Sequence, residues 1–398
     1  MCYKRAMTQS LLSLTASDRD AATVALKIAE TTAREHAASV DSEARFPAES
    51  ISALAKAGLL GLTLPTEFGG MGLGMPAFAA ITETLAQECA STAMIYVMHV
   101  VASQALAQST RLARKSEVLR DISSGRHLTT LAFSESGSRS HFWAPVSTLT
   151  PTGDGYLVNA KKSWVTSAHS ADSFVAVSLA QAPGASQPGL TAYLVDRKSA
   201  GVHVGKSFDG LGLKGNDSVP VTFENLKISD PSLLTEPGAS TDLVLGVVLP
   251  WFAVGTSAMA HGLCERSLAL TSQHLMSQSF EHLGTSLRDL PILRARYAEM
   301  LTRTTASRSL LAVALDRIQK SDAAAALYVL QARLDALEGV LQVTDLAMKA
   351  CGGVAFSKHL PVERAFRDAR AGWVMAPTAD HLREFVGRLA LGLPLFGN

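Results

Sequence analysis

The chain has 398 residues, 47% hydrophobic and 18% charged, with a formal net charge of +1. That length exceeds one ordinary core and predicts two or three domains with a large buried fraction. The near-zero charge argues against a nucleic-acid partner or an anionic membrane surface, and no apolar run is read as reaching the roughly 20 residues that span a bilayer.

The N-terminal stretch has basic residues but no sustained apolar core, so no secretory signal is read. Met1 and Met7 both stand as possible starts. Cys2, Cys89, Cys264 and Cys351 are scattered without metal-ligand spacing. This predicts neither a disulfide framework nor a metal site and fits a reducing cytoplasm. Cys264 and Cys351 fall in apolar helical patterns and are expected in the core.

From Asp18 to about Gly125 the chain is Ala/Leu-rich, with helical spacing at Ile51, Leu54, Leu59 and again at Phe78, Ile81, Leu85. From about Leu128 to Leu233 short apolar runs alternate with Gly, Asn, Asp and Pro: Ser173 to Leu179, Thr191 to Val195, Val219 to Phe223. Gly153-Asp154-Gly155 and Ala200-Gly201 both read as hairpin turns. After Pro237 the helical pattern returns over roughly 242–276, 289–320, 322–351 and 378–391, which predicts a four-helix bundle. The expected architecture is α+β and multidomain: an N-terminal helical domain over 1–127, a β-barrel-like middle domain over 128–235 and a C-terminal four-helix bundle over 236–398.

Local strings follow this order. Phe46-Pro47, Gly58 to Gly61 and Pro65 to Gly72 mark the first region. Leu131 to Gly137, then Gly155-Tyr156 with Asn159 to Thr166 and Ala171-Asp172, mark the second. Gly352-Gly353, Pro361 to Arg364 and Arg367 to Arg370 mark the third. Together they resemble the acyl-CoA dehydrogenase family over nearly the whole chain. The resemblance implies an FAD enzyme in which Phe133 and Ser134 meet the flavin pyrimidine edge, Trp164 lies against the ring and the Thr166 hydroxyl bonds near N5. It places Ser140 at the pyrophosphate and the segment of Thr378 and Asp380 near the adenosine. Phe280, Gly353 and Thr378 approach the adenine half of an FAD held by a neighbouring subunit, which implies a dimer or a dimer of dimers. Physically, a flavin ring needs a flat apolar slot with a few fixed donors, and strands supply both.

The sequence departs from the family where the chemistry lies. The usual catalytic glutamate falls at Ala376, which accepts no proton, and the alternative location, Leu249 to Val254, carries no carboxylate. The family arginine beside that second location is replaced by Ala253. An arginine that reaches an FAD pyrophosphate aligns with Ser277, while Arg139 stands where the family has a small residue. Arg139 either compensates as a bidentate partner of the diphosphate or faces solvent in its loop. His141, His169 and His99 are weak candidates for a replacement base.

Two active functions follow. The first is an FAD oxidoreductase acting on an acyl thioester, CoA- or carrier-bound, with non-standard chemistry. The second is a flavin-dependent oxygenase on the same scaffold, working through a C4a-peroxyflavin on a thioester or ring substrate in a secondary-metabolite or aromatic pathway. A third class, a ligand-binding relative without turnover, has no need of Trp164 and Thr166 together.

Overall fold

The computed structural model describes residues 11–396 except 140, 183 and 283. The two candidate starts, Cys2 and Ser140 therefore lie outside the described residues.

The N-terminal region is helical. Helix α1 (Ala16–Ile28) begins at a capping box in which Thr15 and Asp18 satisfy each other's backbone N–H. It passes through a π turn into α2 (Arg34–Ser42). Helices α3 (Ala48–Lys56), α4 (Met75–Glu88), α5 (Ala90–Ala107) and α6 (Lys115–Ser123) follow. The periodic residues Ile51, Leu54, Leu59, Phe78, Ile81 and Leu85 are all buried. In α5 nearly every side chain is buried, because the helix is wedged between its neighbours, strand β1 (Thr129–Ala132) and the later bundle.

The middle region is two sheets. Strand β4 (Ser173–Ala180) pairs in parallel with β1 and antiparallel with β5 (Gly189–Asp196). The second sheet has the order β2 (Leu149–Thr152), β3 (Gly155–Val165), β7 (Val219–Ser229), β6 (Val202–Val204). Gly153-Asp154-Gly155 makes the expected tight turn, with Thr152 opposite Gly155. The Ala200-Gly201 turn does not close a hairpin. It carries the chain from β5 in one sheet to β6 in the other, where β6 pairs with β7. Ala132, Phe174, Ala176, Tyr193 and Val195 face the second sheet, while Leu131, Val175, Val177, Ala192 and Leu194 face the helices. Burial on both faces explains why β4 reads as an unbroken apolar run rather than an alternation.

The C-terminal region begins with a π turn (Leu243–Val248) that runs into α7 (Leu249–Ser277). A small hairpin of β8 (Ser279–Phe280) and β9 (Thr285–Ser286) leads to α8 (Pro291–Gln319), α9 (Ala325–Cys351), the short α10 (Gly353–Phe356) and α11 (Val362–Ala369), and α12 (Ala379–Ala390). The bundle is thus α7, α8, α9 and α12, with two short helices interposed that the periodicity did not separate. Cys264 and Cys351 are core residues as expected. The apolar-run expectation needs correction. Ala90–Ala107 and Leu243–Ser277 are long and apolar enough to cross a membrane by length and composition, and in this fold 94% and 67% of their apolar windows are buried.

One loop joins all three regions. Between β6 and β7, the Leu213 amide donates to Asp368 Oδ1 (2.6 Å), the Gly215 amide to Ser91 Oγ (3.3 Å), and Arg367 to the Leu211 carbonyl (3.1 Å). A Cβ on Gly212 would come within 2.4 Å of the Arg367 carbonyl oxygen, and one on Gly215 within 2.3 Å of Val40 Cγ1. Only glycine permits this approach. Arg367 also bonds Asp41 (2.6 Å), tying α11 to α2 directly.

Candidate functional site

Where β1 leaves its sheet it meets the end of β3 and the start of α7, and a cavity forms there. Met98, Leu131, Phe133, Ser134, Phe142, Ser163, Trp164, Val248, Leu249, Phe252 and Ala376 line it. None of these residues is titratable. The expected Phe133, Ser134, Trp164 and Ala376 are therefore brought together from three segments distant in sequence.

The wall is held rigidly from behind. The Ser163 amide donates to the Ser134 carbonyl (2.9 Å), linking the two flanking segments. Lys162, fully buried, donates to Glu135 Oε1 (2.6 Å) and to the Val177 carbonyl (2.5 Å). Glu135 also accepts from the Val146 and Ser147 amides at 2.7 and 3.0 Å and from the Ser147 hydroxyl. The Lys162 ammonium and these donors outweigh burial and hold the Glu135 carboxyl below its usual range, although burial is the largest single influence.

Trp164 is held at φ 57, within a register shift of β3 between Lys162 and Val165. A bulky residue there costs roughly 1–2 kcal/mol. The bulge turns the indole outward, where it is 60% exposed and lies on Phe208 with ring centroids 4.1 Å apart. Thr166 is buried, its hydroxyl 3.0 Å from that of Ser218.

A second group extends from the cavity along aromatic rings. Phe142 neighbours Phe133 (6.5 Å) and Trp143 (5.1 Å), and Trp143 neighbours His141, His381 and Phe385. Thr378, the N-cap of α12, is 3.0 Å from His381 Nδ1, and exposed Asp380 bonds Arg383. His141 thus joins the Thr378 segment rather than the cavity. Arg139 is exposed at φ 50, with no ion pair among the described residues. Phe280 in the β8–β9 hairpin and exposed Gly353 do not line the cavity in this chain.

The other two candidate histidines, His99 and His169, are otherwise engaged. His99 is fully buried, with Nε2 3.1 Å from the Leu60 carbonyl and Nδ1 accepting from the Thr129 amide (3.1 Å). Burial pushes its pKa down to about 4, so the ring is a neutral bridge with neither nitrogen free. His169 is exposed and its Nδ1 lies 2.7 Å from Asp217 Oδ1, away from the lining residues.

Sequence reasoning missed Arg333, which lies behind the cavity. Its signal was present: Arg333 falls on the buried stripe of Val329, Ala336, Leu337 and Val340, where a charge is out of place.

Comparison with known proteins agrees with this architecture. The acyl-CoA dehydrogenase N-terminal, middle and C-terminal domain models match residues 15–126, 130–226 and 244–391. The short-chain specific acyl-CoA dehydrogenase of Bos taurus mitochondria is 29% identical over 88% of this chain and 84% of its own length. Among solved structures, butyryl-CoA dehydrogenase from Megasphaera elsdenii superposes with a TM-score of 0.89 at 21% identity, over 96% of this chain and 99% of its own. The FAD complex of PigA superposes with a TM-score of 0.88 at 20% identity, over 96% and 99%. The chain belongs to the acyl-CoA dehydrogenase family, and its fold is that of the family. It is a flavoprotein oxidoreductase, and its cofactor is FAD. The cavity suits such a group, since its lining is apolar apart from two serines, with the half-exposed Trp164 at its edge.

Proposed function

We propose that the chain uses FAD to oxidise an acyl thioester in the cavity between β1, β3 and α7, without a protein base at position 376. The observation that carries this reading is the lining itself: eleven residues, Ala376 among them, and no side chain that takes up a proton. When bound, FAD supplies a two-electron acceptor. The protein's own part is to bind and orient. Phe133 and Ser134 are the residues we assign to the pyrimidine edge of the ring, Trp164 to its face and the Thr166 hydroxyl to N5. Thr378 and Asp380 are assigned to the adenosine end, and Ser140 and Arg139 to the diphosphate. Met98, Val248, Leu249 and Phe252 supply apolar walls against which the acyl group packs.

Phe280 and Gly353 fit the reading if a second copy brings its own FAD to them. Exposed Val354, Phe356, Trp373, Val374 and Leu391 support a homo-oligomer, since such apolar exposure favours contact between chains.

The same lining favours a second reading, a flavin-dependent oxygenase, because a site without a base suits chemistry in which oxygen rather than proton removal drives the reaction. The two separate in one experiment. The yellow protein is mixed anaerobically with a panel of acyl-CoAs, then reduced and exposed to oxygen. Bleaching by a thioester alone supports thioester oxidation. No bleaching, with rapid oxygen uptake after reduction and incorporation of oxygen into substrate, supports the oxygenase. Protein that oxidises no thioester and incorporates no oxygen overturns both.

A further inference from the structure

Four cationic side chains are buried among the described residues: Lys162, Arg308, Arg333 and Arg370. Three have carboxylates. Lys162 has Glu135, Arg308 has Glu83 and Glu265, and Arg370 has Asp345. Arg333 has none. Its side chain is fully buried, and its hydrogen bonds go to the Thr256 hydroxyl and to the carbonyls of Met375 (3.2 Å) and Pro377 (3.4 Å). Its Nε has no partner. The guanidinium carbon sits 4.6 Å from the centre of the Phe252 ring.

These contacts define where the charge lies. The two carbonyls flank Ala376, and Phe252 and Ala376 are both walls of the cavity. The charge therefore stands immediately behind the end of a cavity that contains no ionisable group. Among the described residues no neighbouring acid neutralises it: on its own helix Asp335 answers Arg303 and Glu338 answers Arg383. On α7, Glu265 answers Arg308, and the 373–378 segment carries no acid. Burial lowers the Arg333 pKa to about 9, so the group stays charged at neutral pH.

An unneutralised buried cation is costly, and its field is poorly screened in an apolar enclosure. We propose that Arg333 acts as a positioning residue that also acidifies the bound thioester, clamping Ala376 and Phe252 while its charge stabilises the enolate form of the acyl group. This rests on the thioester reading above. In the step it assists, the α-carbon C–H bond breaks, the proton passes to water, and the electron pair is retained as the enolate. The field thus takes over part of what a carboxylate at position 376 does elsewhere in the family, by making the proton easier to lose rather than by accepting it.

The probe is acetoacetyl-CoA, whose enolate is visible by ultraviolet absorbance, titrated on the FAD-loaded protein. Wild type is expected to enolise it at least about one pH unit below its value in free solution. Arg333→Gln, which keeps a donor for the carbonyls but no charge, loses that shift, and Arg333→Lys restores most of it. An unshifted titration on wild type overturns the proposal without any variant, as does a shift that persists in folded Arg333→Gln. If acetoacetyl-CoA does not bind at all, the thioester reading fails and this inference falls with it; binding without a shift leaves that reading standing and removes only the role of Arg333.

Discussion

The buried pair of Lys162 and Glu135 gives the sharpest test of how the cavity wall is held. Lys162→Met removes an ammonium that is fully buried and lies 2.6 Å from Glu135. Breaking such a pair from one side costs about 3–5 kcal/mol, because the surviving charge is left unpaired. Glu135 keeps three other donors, the Val146 and Ser147 amides and the Ser147 hydroxyl. The loss should therefore fall near about 3 kcal/mol. The double variant Lys162→Met with Glu135→Gln removes both charges and should lose less than the single one, about 2 kcal/mol or below. Urea denaturation at pH 7 followed by circular dichroism measures all three. FAD retention should weaken in parallel, since Ser134 adjoins one partner and Ser163 and Trp164 follow the other. A single variant that loses under about 1 kcal/mol, or a double variant worse than the single, would refute the argument.

Two further outcomes are expected. Burial first, partly offset by the hydrogen bond from Leu213, pushes the Asp368 carboxyl up to about 6. Because the folded state then holds its proton more tightly than the unfolded chain, this contribution is full below about pH 4 and lost as pH rises through 6. Wild type should gain about 2 kcal/mol over Asp368→Asn between pH 7 and 4.5, measured by denaturation of both proteins at each pH; an unchanged difference counts against it. Arg139→Ala should release FAD more readily than wild type on dilution or gel filtration, and equal retention would return Arg139 to the role of a solvent-facing loop residue.

The fold was legible because its signals are local and repeated. Phe78, Ile81 and Leu85 mark one face of a helix wherever that helix packs, and the Gly153 to Gly155 turn has few other uses. The Ala200-Gly201 turn misled because a turn does not record which sheet the next strand joins, and that choice depends on β7, some 15 residues later. In the site, Phe133, Ser134, Trp164 and Ala376 were found through family strings, and the cavity does unite them. What no string carries is depth. His99, a weak base candidate in an apolar helical stretch of the sequence, proves to be a neutral bridge between two backbone groups, because only packing reveals that both nitrogens are taken. Arg333 was overlooked for the converse reason: arginines usually find an acid, and its lack of one is visible only in three dimensions.

The loop at Gly212 and Gly215 has a consequence for traffic through the molecule. Its backbone is pressed between α11 on one side and α2 on the other, and Arg367 bolts those two helices together through Asp41. The three regions of the chain cannot part like jaws without tearing these contacts. Passage into the cavity must then come from small movements at its rim, where Trp164 rests on Phe208, and heating should melt the chain as one body rather than region by region.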